Sequence, residues 1–312
     1  MNIQHSHGHK LLIADGTGIV RRVNEAVHGD IEDDRIAGVI RSTWQSLLRG
    51  IREHEPTHFL AAFDHPGKNW RHDLFAEYKL DRSPMPESLS GAMPSFMEHL
   101  NNSGLRAMSV PGVEADDTIS TLATKAAARG FEVIVLTSDK DMLGLLDFGV
   151  QVYDHFGSKW RDHAWVLEHF GVSPSQMTDL LALMGDETDG IPGVAGVGVK
   201  KAAKLLSQYG TLDAILENAH LVAGKLGESI RASADVARLS RALATMKFDL
   251  LLGIAPRDLE LPAALLADLY AAPEPRLIRT SPSVEAIHQA SEHAQHQSAH
   301  PHDARQIRRL RP

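Results

Sequence analysis

The chain contains no cysteine in 312 residues. Disulfides are excluded, and so are zinc sites built on thiolates. No apolar run is long enough to span a bilayer. The N-terminal MNIQHSHGHK is polar and histidine-rich and lacks the apolar centre of a secretion signal, so the cytoplasm is the expected location. A positive surplus is missing too, since the net charge is −8. Taken alone, that argues against a general nucleic-acid binder, which is usually basic. What is present is a globular composition, 43% hydrophobic and 23% charged, with length for one large or two modest domains.

Short acidic clusters punctuate the chain. They read LLIADG (Asp15), AAFD (Asp64), VEADD (Glu114, Asp116, Asp117), LTSDKD (Asp139, Asp141) and MGDETDG (Asp186, Asp189). Several follow apolar runs that read as buried strands. Like charges brought together raise one another's pKa or need a cation. Ligands that are all oxygen point to a hard divalent ion, Mg²⁺ or Mn²⁺. Any one of these acids alone also reads as a helix N-cap or a loop residue. It is the five clusters together that argue for metal. These carboxylates account for the whole negative excess. The positive charge left over is clustered at Arg21 and Arg22, from Lys68 to Arg82, and at Lys200, Lys201 and Lys204.

Apolar strand-like runs at 11–15, 57–64, 105–110, 132–139 and 150–155 alternate with helical patterns at 34–53 and 116–129. Near-continuous apolar strands separated by helices predict a mostly parallel sheet covered on both faces. Sites in such sheets lie at the carboxyl ends of the strands, where Asp15, Asp64 and Asp139 fall. On an extended segment Asp139 and Asp141 point the same way, and Glu114 and Asp116 share a parity while Asp117 turns elsewhere. Asp186 and Asp189 are neighbours if their segment coils helically. From about 161 the chain reads as helical, with helices over 211–218 and 228–248 and a segment, 249–262, that packs back on the domain. The expected layout is a flexible histidine-rich stretch at 1–9, an α/β region at 10–160, a helical region at 161–275 and a disordered tail at 276–312. His5, His7, His9, His288, His293, His296, His300 and His302 lie in those ends and are given no catalytic role.

Two basic features complete the pattern. The segment HPGKNWRHDLFAEYKLDRSPMPESL is too polar for core and too long for a turn. Arg71, Tyr78, Lys79 and Arg82 in it could hold a single strand and stack a base. The alternative is a solvated basic loop anchored by Tyr78, and Trp70 and Phe75 are expected to pack rather than bind. The turn IPGVAGVGVKKA places Gly193, Gly196 and Gly198 where backbone could approach a phosphate at a helix N-terminus. Lys200, Lys201 and Lys204 would add charge without reading bases. An ordinary helix connection followed by a solvated lysine face is the other reading. A dense carboxylate site suits two-metal phosphodiester hydrolysis.

Taken together, these segments resemble the 5′ nuclease family, the 5′→3′ exonuclease domain of bacterial DNA polymerase I and the flap endonucleases. The resemblance covers roughly residues 10–250. It rests on the basic insertion, EADD, TSDKDM and GDETDGIPGVAGVGVKKAAKLL. It implies a PIN-like, Rossmann-like α/β fold with a helical arch at about 65–90 and a helix–hairpin–helix subdomain at about 185–208. By motif, Asp15, Asp64, Glu114 and Asp116 match ligands of a first metal. Asp116, Asp139, Asp141 and Asp189 match those of a second, with Asp117 and Asp186 as further acidic positions acting through water. Lys79, Arg82 and Arg22 match catalytic basic residues. Residues 190–204 match the duplex grip, where family members can also hold K⁺ on backbone carbonyls.

The run ADGTGIVRRVNEA lacks the tyrosines that follow the first aspartate in many polymerase I domains, and is more similar to short stand-alone bacterial exonucleases. Some of those have lost the acidic pair before IPGV, which this chain keeps. No polymerase domain follows, so gap-filling is expected from another protein. The resemblance implies a monomeric, Mg²⁺- or Mn²⁺-dependent 5′ nuclease. It would act on flaps, nicks or 5′ ends of DNA, and on RNA–DNA hybrids, in replication or repair. Two alternatives stand beside it: a non-catalytic binder of DNA junctions, and a PIN-type ribonuclease.

Overall fold

A computed structural model describes residues 8–29 and 31–271. The expected tail at 276–312, His5, His7 and the tail histidines lie outside the described residues. His9 is described and stacks on Phe131, with ring centroids 5.1 Å apart.

The chain runs β1 (Lys10–Asp15), α1 (Gly16–Ala26), α2 (Glu32–His54), β2 (His58–Phe63), α3 (Trp70–Leu74), α4 (Glu87–Asn102), β3 (Ala107–Ser109) and α5 (Ala115–Ala127). It continues through β4 (Glu132–Leu136), a 3-10 stretch (Lys140–Phe148), β5 (Gln151–Asp154) and β6 (Lys159–Trp160). The strands form one sheet in the order β3-β2-β1-β4-β5-β6. All pairs are parallel except β5 with β6. The direction of winding reverses between β1 and β4, the place where open α/β sheets leave a crevice at their carboxyl edge.

Strand alternation explains why both faces are covered. Leu12 and Ala14 of β1 join Phe59, Ala61, Ile134 and Leu136 in a core with α1, α2 and α4. Leu11 and Ile13 point the other way and pack with Leu60, Val133, Val135 and Ile119 and Ala123 of α5. With side chains buried on both sides, the central strands β1, β2 and β4 must be apolar through their length inside the sheet, whereas the edge strand β6 is exposed.

The rest of the described chain is helical: α6 (His163–Phe170), α7 (Met177–Met184), α8 (Val199–Tyr209), α9 (Leu212–Glu217), α10 (Gly224–Ala232), α11 (Ala234–Ala244) and α12 (Ala263–Ala271). Leu180, Leu183, Val194, Leu205 and Leu206 share a separate core there. The helix expected over 228–248 is two helices, broken at Ser233, which ends α10 and begins α11. The segment at 249–262 does return to the sheet: Leu259 and Leu261 are buried, and Glu260 bridges His58 beside β2. No helix among the described residues is long and apolar enough to cross a membrane.

The insertion differs from the long arch expected at 65–90. It holds the five-residue α3, a run of turns over 76–82, and then the start of α4. Pro84 and Pro86 lack the amide hydrogen a continuous helix would need. Lys79 adopts φ 55°, a left-handed conformation uncommon outside glycine. Its amide donates to the Asp189 carbonyl at 3.0 Å, which holds the insertion down on the acidic turn.

Candidate active site

The sheet delivers the first acids. Asp15 ends β1 and caps α1, its Oδ1 accepting from the Gly18 amide at 2.8 Å and its Oδ2 from the Thr137 hydroxyl at 3.0 Å. Asp64 follows β2 directly. Its amide donates to Thr17 Oγ1 at 2.7 Å, and its Oδ1 accepts from the Ala115 amide, at the start of α5, at 2.9 Å. Asp139 follows β4, and its Oδ1 accepts from the Asp141 amide at 2.9 Å. Asp15 and Asp139 are therefore helix N-caps as well as members of the cluster.

The turn at 185–193 delivers the last pair. Asp186 and Ile191 exchange backbone hydrogen bonds of 2.9 and 2.8 Å, which closes the turn with Asp189 on it. A Cβ at Gly185 would stand 2.7 Å from the Ile191 carbonyl oxygen, so this closure requires glycine. A Cβ at Gly190 would stand 3.0 Å from the Glu77 carbonyl, where the insertion lies against the turn.

Charge divides the cluster into two halves. In one half every acid has a basic partner. Glu114 accepts from Lys79 Nζ at 2.8 Å, Asn69 Nδ2 at 2.9 Å, Arg71 Nη1 at 3.1 Å and the Tyr78 hydroxyl at 3.1 Å. Asp189 faces Lys79 at 3.4 Å and Arg82 at 3.5 Å. Asp186 takes the Lys140 ammonium. Burial alone would raise Glu114, but Lys79 and Arg71 outweigh it and hold its pKa below the usual value. Lys79 and Lys140 are raised despite their burial, because carboxylates surround them.

In the other half the acids face one another. Burial, then Asp64 and Asp139, push Asp15 up to about 6 against the lowering effect of its Gly18 hydrogen bond. Asp116 is raised well above the ordinary value by burial and by Asp139 and Asp15. Asp141 is raised likewise by burial and Asp139. Its Oδ1 is buried and accepts no hydrogen bond.

Several sequence-predicted residues stand elsewhere. Asp117 is fully buried and turned from the cluster; its oxygens accept from Arg71, the Trp70 indole and the Lys247 amide. Both of its oxygens are taken by donors of the protein itself, in a charge pair with Arg71. Arg71 and Tyr78, expected to touch DNA, are each 3% exposed. Arg71 is locked by carboxylates and carbonyls, and Tyr78 packs with Leu181, Ile191 and Leu243 while its hydroxyl meets Glu114. Arg22 lies on the outer side of α1, 3.8 Å from Glu25. Gly193 is buried, and its amide donates to Ser240 Oγ at 3.0 Å, so it is not free for a phosphate. Gly196 and Gly198 are exposed and open, beside exposed Lys200, Lys201 and Lys204. Lys201 Nζ donates to the Gly196 carbonyl at 2.6 Å.

Arg21, singled out in the sequence only as half of a basic pair, also reaches the carboxylate cluster. It is half-buried and donates to the Ser83 carbonyl at 3.3 Å, with Arg82, Asp64 and Asp189 in electrostatic reach. Helical spacing held the signal: Arg21 is one turn beyond Thr17, which touches Asp64, whereas Arg22 is not. A cleft of about 680 Å³ lined by Asp81, Lys140, Asp186, Glu187, Gly190 and Pro192 opens beside this group.

Residues 10–171 match the 5′-3′ exonuclease N-terminal resolvase-like domain, and residues 172–265 the 5′-3′ exonuclease C-terminal SAM fold. The chain belongs to the 5′-3′ exonuclease family. It is 36% identical over 259 residues to the flap endonuclease Xni of Pectobacterium carotovorum subsp. carotovorum (strain PC1), covering 82% of this chain and 96% of that protein. It is 35% identical over 254 residues to the same-named protein of Serratia proteamaculans (strain 568), covering 81% and 98%. Among solved structures, the T5 D15 protein co-crystallized with metal ions superposes with TM-score 0.60 at 24% identity, over 75% of this chain and 88% of that one. The catalytic core of Rad2 in complex with a DNA substrate gives 0.55 at 16%, over 85% and 86%. These two likenesses show the shared fold.

Proposed function

We propose that the protein is a divalent-metal-dependent, structure-specific 5′ nuclease that hydrolyses DNA phosphodiester bonds at flaps, nicks or 5′ ends. The observation that carries this reading is the unmatched half of the cluster. Asp15, Asp64, Asp116, Asp139 and Asp141 gather around the switch point of the sheet with no basic partner in hydrogen-bond contact, and Lys140 stands 3.8 Å from Asp141 Oδ1. The donor set fits hard cations: it is all oxygen, and the buried Asp141 Oδ1 accepts no hydrogen bond. No group of three or more Asp, Glu or His among the described residues has ligand spacing as it stands.

In this reading Asp15, Asp64, Glu114 and Asp116 hold one Mg²⁺ or Mn²⁺, and Asp116, Asp139, Asp141 and Asp189 help hold another, with Asp186 beside them. When bound, such ions supply an activated water and charge for the leaving oxygen. The chain's own cations do the rest. Lys79 and Arg82, released from Glu114 and Asp189, would hold the scissile phosphate, with Arg21 behind them. Gly196, Gly198 and Lys200, Lys201 and Lys204 grip duplex backbone through exposed amides and charge. Lys201 already occupies the Gly196 carbonyl, so a K⁺ ion there would have to displace that ammonium.

The test is cleavage of labelled 5′-flap, nicked, RNA-primed and single-stranded RNA substrates with Mg²⁺ or Mn²⁺. Cuts near the flap junction support the proposal. A folded protein that binds flaps without cutting would be a junction binder, and one that cuts only single-stranded RNA would be a PIN-type ribonuclease.

A further inference from the structure

Arg71 offers five N–H groups, and all five are used. Nε donates to the Leu243 carbonyl at 2.8 Å, Nη1 to Glu114 at 3.1 Å and Asp117 at 2.9 Å, and Nη2 to Asp117 at 3.0 Å and the Thr245 carbonyl at 3.3 Å. Leu243 lies in the last turn of α11 and Thr245 caps that helix. One turn earlier, the fully buried Ser240 accepts from the Gly193 amide. A continuous hydrogen-bonded path thus runs from the glycine turn through α11 and Arg71 to Glu114. Packing follows the same line: Ile191 of the turn, Leu243 and Ala244 of α11 and the Tyr78 ring share a small core, and the Tyr78 hydroxyl also meets Glu114. Asp117 shares the Arg71 charge with Glu114, and its two hydrogen bonds fix the guanidinium that aims Glu114.

We propose that Arg71 is a positioning residue that couples the Gly193 turn to Glu114, so that duplex held at the turn and metal held at the carboxylates favour each other. This rests on the 5′ nuclease reading of both sites. Coupling of this kind is reciprocal and is measured as a ratio of affinities. A lysine cannot replace Arg71, because three donors on a flexible stem cannot serve five fixed acceptors.

The experiment is calorimetric titration of Mn²⁺ into the full chain, with and without a phosphorothioate-linked duplex that resists cleavage. In the natural protein the duplex should tighten Mn²⁺ binding by about fivefold or more. Arg71→Lys should lose about 10–100-fold in DNA-free Mn²⁺ affinity while retaining duplex binding. Ser240→Ala should keep DNA-free Mn²⁺ affinity but lose most of the tightening by duplex. Melting curves check that each variant is folded, and Ser240→Ala decides the matter if Arg71→Lys is not. An unchanged tightening in Ser240→Ala, no tightening in the natural protein, or Mn²⁺ binding by Arg71→Lys equal to that of the natural protein overturns the proposal. If the natural protein cuts flaps, such a result removes only the coupling. If it neither cuts nor binds Mn²⁺, the nuclease reading falls as well.

Discussion

The two halves of the carboxylate cluster have the same chemistry and different neighbours. Glu114 sits among Lys79, Arg71, Asn69 and Tyr78, and its charge is held on. Asp15, Asp116 and Asp141 sit among other acids, and their charge is resisted. A matched acid stabilises the fold as it is. An unmatched acid destabilises it until a cation or a proton arrives. The difference separates what the fold needs from what a ligand must complete.

The largest contrast should appear in cleavage. Asp139→Ala removes a carboxylate from the unmatched half, and flap cleavage should fall by at least about 10³-fold, roughly 4 kcal/mol of barrier, while flap binding measured by anisotropy persists. Equal loss of binding would mean that the half serves the DNA and not the chemistry. Next comes stability without divalent metal, where the halves should respond with opposite signs. Glu114→Gln takes one of two carboxylate partners from each of the buried Lys79 and Arg71 and should cost about 3 kcal/mol. Asp116→Asn relieves repulsion and should raise Tm by about 2–4 °C. Melting both variants in a chelator checks the pair, and a loss in both would erase the distinction.

Protons sharpen the same comparison. In the metal-free fold Asp15 keeps its proton up to about pH 6, against 3.8 ordinarily. Its raised pKa means that the folded state binds the extra proton, so its contribution to stability is full below about pH 4 and lost as pH rises through about 6. A divalent ion competes with that proton. The rise in Tm caused by Mg²⁺ should therefore be small near pH 5 and reach its full size above about pH 7. A gain independent of pH would contradict it. The smallest effect concerns the arginine pair. Arg21→Ala should slow cleavage about tenfold, and Arg22→Ala should leave it within about twofold. The reverse order would show that α1 rotates when DNA binds.

The sequence revealed the sheet because burial on both faces leaves no alternative to continuous apolar strands. It placed Asp15 and Asp64 at strand ends for the same reason. Side-chain direction was harder to read where it depends on distant partners. Arg71 finds Asp117 and the end of α11, more than 170 residues away for the carbonyls, and nothing in a basic insertion announces that pairing. Tyr78 turns inward because Leu181, Ile191 and Leu243 offer it a pocket. Lys79 takes a left-handed φ that no local pattern requires. Gly193 and Gly196 look alike as letters, yet one is pressed against Gly185 and the other faces open space.

The central claim is that the unmatched carboxylates hold divalent metal. Calorimetric titration of Mn²⁺ into the DNA-free protein tests it most directly, with Asp116→Asn and the exposed-site control Asp33→Asn alongside. The account expects saturable binding in the natural protein and the control, and its loss in Asp116→Asn. Equal binding by Asp116→Asn, or none by the natural protein, would contradict it.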